Sequence, residues 1–172
     1  MRKISILKKT WAIEGCLPGE KEVFLAGFAI KKKIYTGKSK YQSIDIFDTQ
    51  GYGKMFFLDG LVQLSTKDEA VYHEMLVHPA LMNHPSPKRV LIIGGGDGGA
   101  LREVLKHPVK EAFLVEIDEK VIQVAKKYLP TLCRSAFQDK RSKIVVTDGI
   151  EFILKYKNYF DCIILDSNDP DG

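Results

Sequence analysis

The chain has 172 residues, of which 45% are hydrophobic and 28% are charged, and its formal net charge is +4. This composition is that of a globular protein and excludes a disordered or collagen-like chain. The length suffices for one sizeable core with a smaller unit beside it. The three cysteines, Cys16, Cys133 and Cys162, are scattered, so the sequence predicts free thiols rather than a disulfide framework or a zinc site.

The sequence also restricts the partners of the protein. No stretch approaches the roughly 18 consecutive apolar residues of a membrane span, and the N-terminal segment lacks the apolar core of a secretory signal. We therefore expect a cytoplasmic protein without a membrane partner. Lysine runs such as residues 31–33 lack the interleaved aromatic residues of a strand-binding surface, so nucleic acid is not an expected partner.

The first part of the chain shows period-two patterns and short apolar runs, which are typical of strands. The predicted strands cover residues 24–31, 41–48, 54–58 and 61–64. Between the last two strands lies Asp59-Gly60, a pair favoured in type I′ hairpins, where both central residues need a positive φ. The sequence therefore predicts a small antiparallel β domain over residues 1–65.

A helix and a connector follow this domain in the sequence. Thr66-x-x-Glu69 fits a capping box and predicts the start of a helix, which Pro79 either kinks or restarts. The segment then ends in the proline-rich sequence HPSPK, a stiff connector. We interpret residues 66–87 as a connecting helix and linker, with the domain boundary in the proline-rich part.

From residue 88 onward, strand patterns alternate with helix patterns. The segment RVLIIGGG is a continuous β-branched and apolar run, as is typical of a parallel strand buried on both faces. Three further strand segments, EAFLVEID, KIVVTDG and FDCIILD, are separated by helical patterns. This rhythm predicts a doubly wound, Rossmann-type α/β domain over residues 88–172, with the strand order 3-2-1-4.

Each of the four predicted parallel strands ends in a carboxylate. The acids are Asp97, Glu116 with Asp118, Asp148, and Asp166 with Asp169. Ligands of such sheets bind outside the carboxyl ends of the strands, so these acids should meet at one edge. Asp118, Asp148 or Asp169 alone could equally cap a helix or a turn. Because gathered carboxylates repel by roughly 1–4 kcal/mol per close pair, we expect a positively charged ligand.

The segment GGGDGG, residues 94–99, also satisfies a dinucleotide-binding fingerprint, with Glu116 placed to bind a ribose. A dinucleotide oxidoreductase is therefore an alternative, although the carboxylate of Asp97 would repel a pyrophosphate. An adenosyl sulfonium fits the charges better, with its ribose at Glu116, its base near Asp148 and its cationic tail at Asp97. The glycines alone also fit a tight turn that packs a helix.

The combination of YHEM, GGGDGG and DSNDP resembles the polyamine aminopropyltransferases, the spermidine synthase family. The similarity covers most of residues 39–170 in the order of that family. It implies a small N-terminal β domain followed by a methyltransferase-like Rossmann domain, assembled as a homodimer or homotetramer. Members of the family continue past the DSxDP motif, so the resemblance also implies that the C-terminal part of the catalytic domain is missing.

The resemblance further implies the reaction and the roles of individual residues. An aminopropyl group would pass from decarboxylated S-adenosylmethionine to putrescine, giving spermidine and methylthioadenosine, with no metal and no other cofactor. Asp166 would be the proton acceptor. The donor would be held by Gln42, Glu116, Asp148 and Gly149. The amine would be met by Gln63, Tyr72, His73, Asp97 and Asp169. Without the motif context, Tyr72 and His73 read as ordinary helix residues and Gln42 as an exposed residue on a strand.

The chemistry of these groups suits the implied reaction. Amines of this type are mostly protonated at neutral pH, and the attacking nitrogen must lose a proton, which a carboxylate at Asp166 can accept. The leaving thioether is neutral and needs no acid. An S-adenosylmethionine-dependent methyltransferase and a non-catalytic polyamine or nucleoside-binding module remain alternatives. The motifs leave open which amine is preferred, because the walls of a pocket decide acceptor length.

Overall fold

The computed structural model describes residues 2–6, 9–15 and 25–167. The chain forms two compact units, Met1–Glu69 and Ala70–Gly172. This division differs from the predicted boundary in the proline-rich connector. The helix of the predicted linker belongs mainly to the second unit, because its residues Val77 and Leu81 are buried in the core of that unit.

The described part of the first unit is a six-stranded antiparallel sheet in which every strand pairs with its neighbours in the chain. Its strands are β1 (Arg2–Ile6), β2 (Lys9–Gly15), β3 (Leu25–Lys38), β4 (Ser43–Thr49), β5 (Gly53–Leu58) and β6 (Leu61–Ser65). Strands β1 and β2 were not predicted, because their apolar residues are few and interrupted by lysines. Strand β3 continues to Lys38, well beyond the predicted segment 24–31.

The hairpin between β5 and β6 confirms the prediction for Asp59-Gly60. Asp59 has φ 47° and Gly60 has φ 88°, so both residues have the positive φ that a type I′ turn requires. The carboxylate of Asp59 also accepts a hydrogen bond from the backbone N–H of Ser43, 2.8 Å away. The aromatic core below this hairpin includes Phe47 and Phe57, whose ring centroids are 5.8 Å apart.

The second unit is a four-stranded parallel sheet in its described part, with the order β10-β7-β8-β9. If the parallel strands β7, β8, β9 and β10 are numbered 1 to 4 and the sheet is followed from β9, the order is 3-2-1-4, as predicted. The doubly wound α/β architecture is therefore confirmed. The elements from Glu69 on are α1 (Glu69–Asn83), β7 (Arg89–Gly94), α2 (Gly99–Val104), β8 (Glu111–Glu116), α3 (Glu119–Tyr128), α4 (Pro130–Cys133), a 3-10 helix (Ala136–Gln138), β9 (Ser142–Val146), α5 (Gly149–Ile153) and β10 (Cys162–Asp166).

The central strands of this sheet are buried on both faces, as the continuous apolar run of β7 predicts. On one face, Val90 and Ile92 pack in a cluster with Val77 and Leu81 of α1. On the other face, Leu91 packs with residues that include Val115 and Phe152. Strand β10 lies at the edge of the described sheet, and it exposes Ile163 and Leu165 to 47% and 65%.

The start of α1 differs from the prediction. The helix begins at Glu69, and the Thr66 hydroxyl accepts a hydrogen bond from the backbone N–H of Lys54 at 2.9 Å. Thr66 therefore closes the strand region and is not the N-cap of the predicted capping box. The helix includes Pro79 and continues without a break to Asn83.

Two predictions from composition can be compared with the described residues. Cys133 and Cys162 are free thiols, as predicted, whereas Cys16 lies outside those residues. Within the described ranges, no helix combines the length and the apolar character that crossing a bilayer would require.

Candidate active site

The glycine-rich loop after β7 brings two strand ends together. Gly94 and Gly95 have φ 84° and 67°, and the N–H of Gly95 donates to the backbone oxygen of Asp166, 2.8 Å away. A Cβ atom on Gly94 would collide with that same oxygen. Glycine is required here because no other residue combines the left-handed backbone with so close an approach. The loop thereby sets Asp97 beside the end of β10.

Asp97 is held between the loop and helix α1. Its Oδ1 atom accepts a hydrogen bond from the N–H of Gly99 at 2.7 Å and lies 3.5 Å from Nε2 of His73. His73 is only 1% exposed, and the Cβ of any residue larger than glycine at position 99 would meet its ring. The carboxylate of Asp97 is therefore fixed in place while 14% of its side chain stays accessible.

Asp166, at the end of β10, has two oxygens in different surroundings. The hydroxyl of Tyr72 donates to Oδ1 at 2.9 Å. Oδ2 is buried and has no hydrogen-bond partner among the described residues. One oxygen of this carboxylate is therefore oriented by the tyrosine, and the other is left to receive a proton or a cation.

The surroundings also change the proton affinity of Asp166. Its pKa is raised to about 6, mainly by burial and then by the negative charge of Asp97, while the hydrogen bond from Tyr72 and the charge of His73 act in the opposite direction. Ligand atoms of His73, Asp97 and Asp166 lie within 4.8 Å of one another. Such a cluster can bind a cation, either an ammonium group or a metal ion.

The end of β8 carries a second buried acid. Glu116 is 8% exposed, and its two oxygens accept backbone N–H groups from Gly96 at 3.1 Å and Asp118 at 2.9 Å. Burial raises the pKa of Glu116, and the hydrogen bonds reduce this effect. Asp118 caps α3, because its Oδ1 accepts the N–H of Lys120 at 3.0 Å. Glu116 thus joins the glycine-rich loop to the end of β8.

Asp148 serves as the N-cap of α5 after β9. Its Oδ1 atom accepts hydrogen bonds from the N–H groups of Ile150 at 2.7 Å and Glu151 at 3.1 Å. A Cβ on Gly149 would collide with the side chain of Ile93 on strand β7. Asp148 therefore caps a helix, which is one of the two roles that the sequence allowed for it. Gly149 lets the start of α5 approach the sheet.

The structure brings together one part of the predicted set of residues. Tyr72 contacts Asp166 and His73 contacts Asp97, and the glycine-rich loop links these pairs to Glu116. The substrate roles of all these residues stay predictions. No motif had marked Phe137 and Cys133, which pack against Gly98 of the loop.

The remaining predicted residues lie elsewhere. Gln42 and Gln63 belong to the first unit, and their roles stay predictions. Gln42 precedes β4 and lies in a turn, where its backbone N–H donates to the hydroxyl of Ser39 and its backbone oxygen accepts the N–H of Ser39; this corrects its predicted position on a strand. The side chain of Gln63 donates to the backbone oxygen of Leu61, 3.4 Å away. Asp169 lies outside the described residues.

These features define a doubly wound α/β domain with a glycine-rich turn and buried acids at its ligand-binding edge. The chain belongs to the spermine/spermidine synthase family: residues 69–172 match the model of the spermine/spermidine synthase domain, and residues 13–66 match that of the spermidine synthase tetramerisation domain.

Individual relatives agree with this assignment. The chain is 52% identical over 149 residues to a polyamine aminopropyltransferase of Caldicellulosiruptor saccharolyticus, covering 85% of this chain and 53% of the relative. It is 51% identical over 144 residues to a spermidine synthase of Schizosaccharomyces pombe, covering 83% and 48%. The chain thus spans about half the length of the curated relatives it matches.

Two solved structures of spermidine synthases also match this chain, and it again covers about half of their length. Spermidine synthase from Thermotoga maritima superposes with a TM-score of 0.84 at 47% identity, covering 91% of this chain and 54% of that chain. A spermidine synthase in complex with the transition-state analogue AdoDATO gives a TM-score of 0.86 at 47% identity, covering 93% and 54%.

Proposed function

We propose that this site transfers an aminopropyl group from decarboxylated S-adenosylmethionine to putrescine, giving spermidine and methylthioadenosine. The observation that carries the proposal is the pair of carboxylates Asp97 and Asp166 in one partly buried cluster, where burial and the charge of Asp97 raise the pKa of Asp166. Such a pair favours a cationic ligand, and both proposed substrates are cations. Membership of the family and the relatives named polyamine aminopropyltransferase support the same reaction.

In the proposed reaction, the lone pair of the amine nitrogen attacks the carbon next to the sulfonium. The carbon–sulfur bond breaks with its electrons moving to sulfur, which leaves as the neutral thioether. The new ammonium loses its proton to Asp166, and Oδ2 is the acceptor because Tyr72 occupies Oδ1. A carboxyl with a pKa of about 6 is still ionised at neutral pH, and it binds a proton more strongly than an ordinary aspartate does.

The other acids would position the substrates. Asp97 is fixed by Gly99 and His73, so it can hold an ammonium group at a set distance from the reacting carbon. Glu116 would accept hydrogen bonds from the ribose of the donor, and Asp148 with Gly149 would lie at its base. Neither a metal ion nor another cofactor is needed, since displacement of a sulfonium requires only alignment and a proton acceptor.

We also propose a cytoplasmic homo-oligomer, either a dimer or a tetramer. The match of residues 13–66 to a tetramerisation domain supports the assembly. The free thiols of Cys133 and Cys162 suit a reducing compartment.

The test of this function is a product analysis. The purified chain is incubated with putrescine and either decarboxylated or ordinary S-adenosylmethionine, beside Asp166→Asn as the control. We expect spermidine and methylthioadenosine from the decarboxylated donor and a large loss in the variant. Methylated product from ordinary S-adenosylmethionine would instead support a methyltransferase, and binding of both ligands without product would support a binding module.

A further inference from the structure

A second group of ionisable side chains lies between α1 and the end of α2, outside the site described above. His78 of α1 has its Nε2 atom 3.1 Å from Oε2 of Glu103 and its Nδ1 atom 2.8 Å from Nε2 of His107. Glu103 is completely buried. The three side chains therefore form a continuous chain of polar contacts from a buried carboxylate to a half-buried imidazole.

Glu103 is the charged anchor of this chain. Its Oε1 accepts a hydrogen bond from Nε of Arg102 at 2.7 Å, and Lys106 Nζ lies 2.5 Å from Oε2 and 3.8 Å from Glu74. Burial would raise the pKa of Glu103, but the hydrogen bonds and charges of Lys106 and Arg102 lower it below its usual value. Because Lys106 already supplies a cation between the two glutamates, the cluster of Glu74, His78 and Glu103 is not proposed as a metal site.

The contact geometry fixes how many protons the two histidines can hold. Nε2 of His78 lies at ion-pair distance, 3.1 Å, from Oε2 of Glu103, although the geometry of this contact is not that of a hydrogen bond. Two imidazole nitrogens 2.8 Å apart must share one hydrogen between them, since two lone pairs or two N–H groups would repel. His78 and His107 together can therefore carry one positive charge or none. A second charge would break their contact.

Helix α1 makes both apolar and polar contacts with the rest of its unit. Its buried residues are His73, Val77 and Leu81, and Leu76 packs against the same core, whereas Met75 and Met82 are exposed to 67% and 76%. This apolar stripe holds one face of the helix against the core and limits the rotation of the helix about its axis. Contacts from His73 and from His78 constrain this rotation at two places along the helix.

We propose that Glu103, His78 and His107 act as a positioning unit that holds α1 so that Tyr72 and His73 reach Asp166 and Asp97. Tyr72 and His73 lie in the first turns of the same helix, and Glu103 lies in the helix that follows the Asp97 loop. The unit therefore connects the two elements whose side chains meet at the candidate active site. Its expected effect on turnover rests on the proposed function; its effect on geometry does not.

The unit is sensitive to acid. Burial lowers the pKa of His107, the charges of His78 and Lys106 lower it further, and Glu103 acts in the opposite direction. The Arg141 guanidinium also lies close, donating to the backbone oxygen of His107 at 3.2 Å. Because the pKa of His107 in the folded state is below the ordinary 6.5, folding favours the neutral imidazole. Neutral His107 therefore contributes to folding stability above pH 6.5, and this contribution is lost as the pH falls through the lower pKa of the folded state.

The test uses NMR on the folded chain and needs no turnover. The variants are His78→Leu, which removes the centre of the unit, and His107→Gln, which keeps the contact between His78 and Glu103. His84→Leu is the matched control, because His84 receives a hydrogen bond from Ser86 and takes no part in the unit. The Asp166 carboxyl carbon and the Gly99 amide, which donates to Asp97, report on the two active-site contacts.

In His78→Leu we expect the pKa of Asp166 to rise above about 6, because the hydrogen bond from Tyr72 is weakened, and the Gly99 amide resonance to shift. His107→Gln should show the same two changes to a smaller extent. If His78→Leu does not fold, the result for His107→Gln tests the proposal in its place. His84→Leu should show neither. Loss of thermal stability with both signals unchanged would overturn the proposal.

Discussion

The two units of this chain bury different kinds of side chain. Among the described residues of the first unit, Asp45 is the buried ionisable residue, and the core there is built from Phe47, Phe57 and other apolar side chains. The described part of the second unit buries a larger ionisable set, namely His73, Arg102, Glu103, Glu116 and Asp118. Burying charged groups is costly unless they are paired or have a function. The comparison therefore shows that the buried ionisable groups, including those next to the proposed active site, are concentrated in the described part of the second unit.

The largest expected effect is that of Asp166→Asn. The amide keeps the shape of the side chain and can still contact Tyr72, but it cannot accept a proton. We expect turnover to fall by about 10²- to 10⁴-fold, with little change in donor affinity, as measured by steady-state kinetics and calorimetry. Turnover at neutral pH equal to that of the unaltered chain would exclude Asp166 as the base.

The same variant has a predicted effect on stability. Because the pKa of Asp166 in the folded state, about 6, lies above its ordinary 3.8, the protonated form is favoured by folding. The contribution of protonated Asp166 to folding stability is complete below pH 3.8 and is lost as the pH rises through about 6. Thermal unfolding across this range should show the decline, and Asp166→Asn should remove it.

The second prediction compares one glycine from each unit. Gly94→Ala combines a left-handed backbone with a collision against the Asp166 backbone oxygen, so we expect a loss of about 2–5 kcal/mol in unfolding free energy. Gly51→Ala is the matched control, since Gly51 has φ 99° but open space around its Cβ position. That variant should lose only about 1–2 kcal/mol. Equal losses in denaturant titrations would mean that the loop can move away from β10.

The third prediction concerns the buried acids of the two units. Glu116→Gln replaces a carboxylate that accepts two backbone N–H groups, and we expect methylthioadenosine binding to weaken by about 1.5–3 kcal/mol. Asp45→Asn makes the same chemical change in the first unit and should leave binding nearly unchanged. Calorimetric titration of both variants checks this. Undiminished binding in Glu116→Gln would remove Glu116 from the donor site.

The smallest expected effect is the change in donor selectivity of Asp97→Asn. In the proposed site, the carboxylate of Asp97 would favour the decarboxylated donor and repel the carboxylate of ordinary S-adenosylmethionine. Without it, the ratio of the two dissociation constants should shrink by about tenfold, a difference of about 1.4 kcal/mol. A loss of affinity that is equal for both donors would contradict this electrostatic explanation.

Several features of the second unit could be predicted from local sequence. The continuous apolar run of β7 and the acids after each strand place Asp97, Glu116 and Asp166 at one edge of the sheet, because parallel strands end together. The Asp59-Gly60 turn of the first unit was equally predictable, since the positive φ angles that it requires depend only on these two residues. Such features depend on neighbouring residues in the chain.

Features that depend on distant partners could not be predicted. Arg102 and Glu103 are adjacent charged residues on a helix and look like solvent-exposed positions, yet both are buried because they pair with each other and with groups on other elements. Thr66 resembled an N-cap, but its hydroxyl instead bonds to Lys54. A sequence does not state which residues far along the chain will supply a partner.

The titration of the Asp166 carboxyl group tests the central claim most directly, because the claim is that two carboxylates share a partly buried site built for a cation. NMR of chain labelled at the aspartate carboxyl carbons gives this pKa in the unaltered protein and in Asp97→Asn. The account predicts a value of about 6 in the unaltered protein and a lower value in the variant, since the charge of Asp97 is one cause of the increase. A value near 3.8 in both proteins would contradict it.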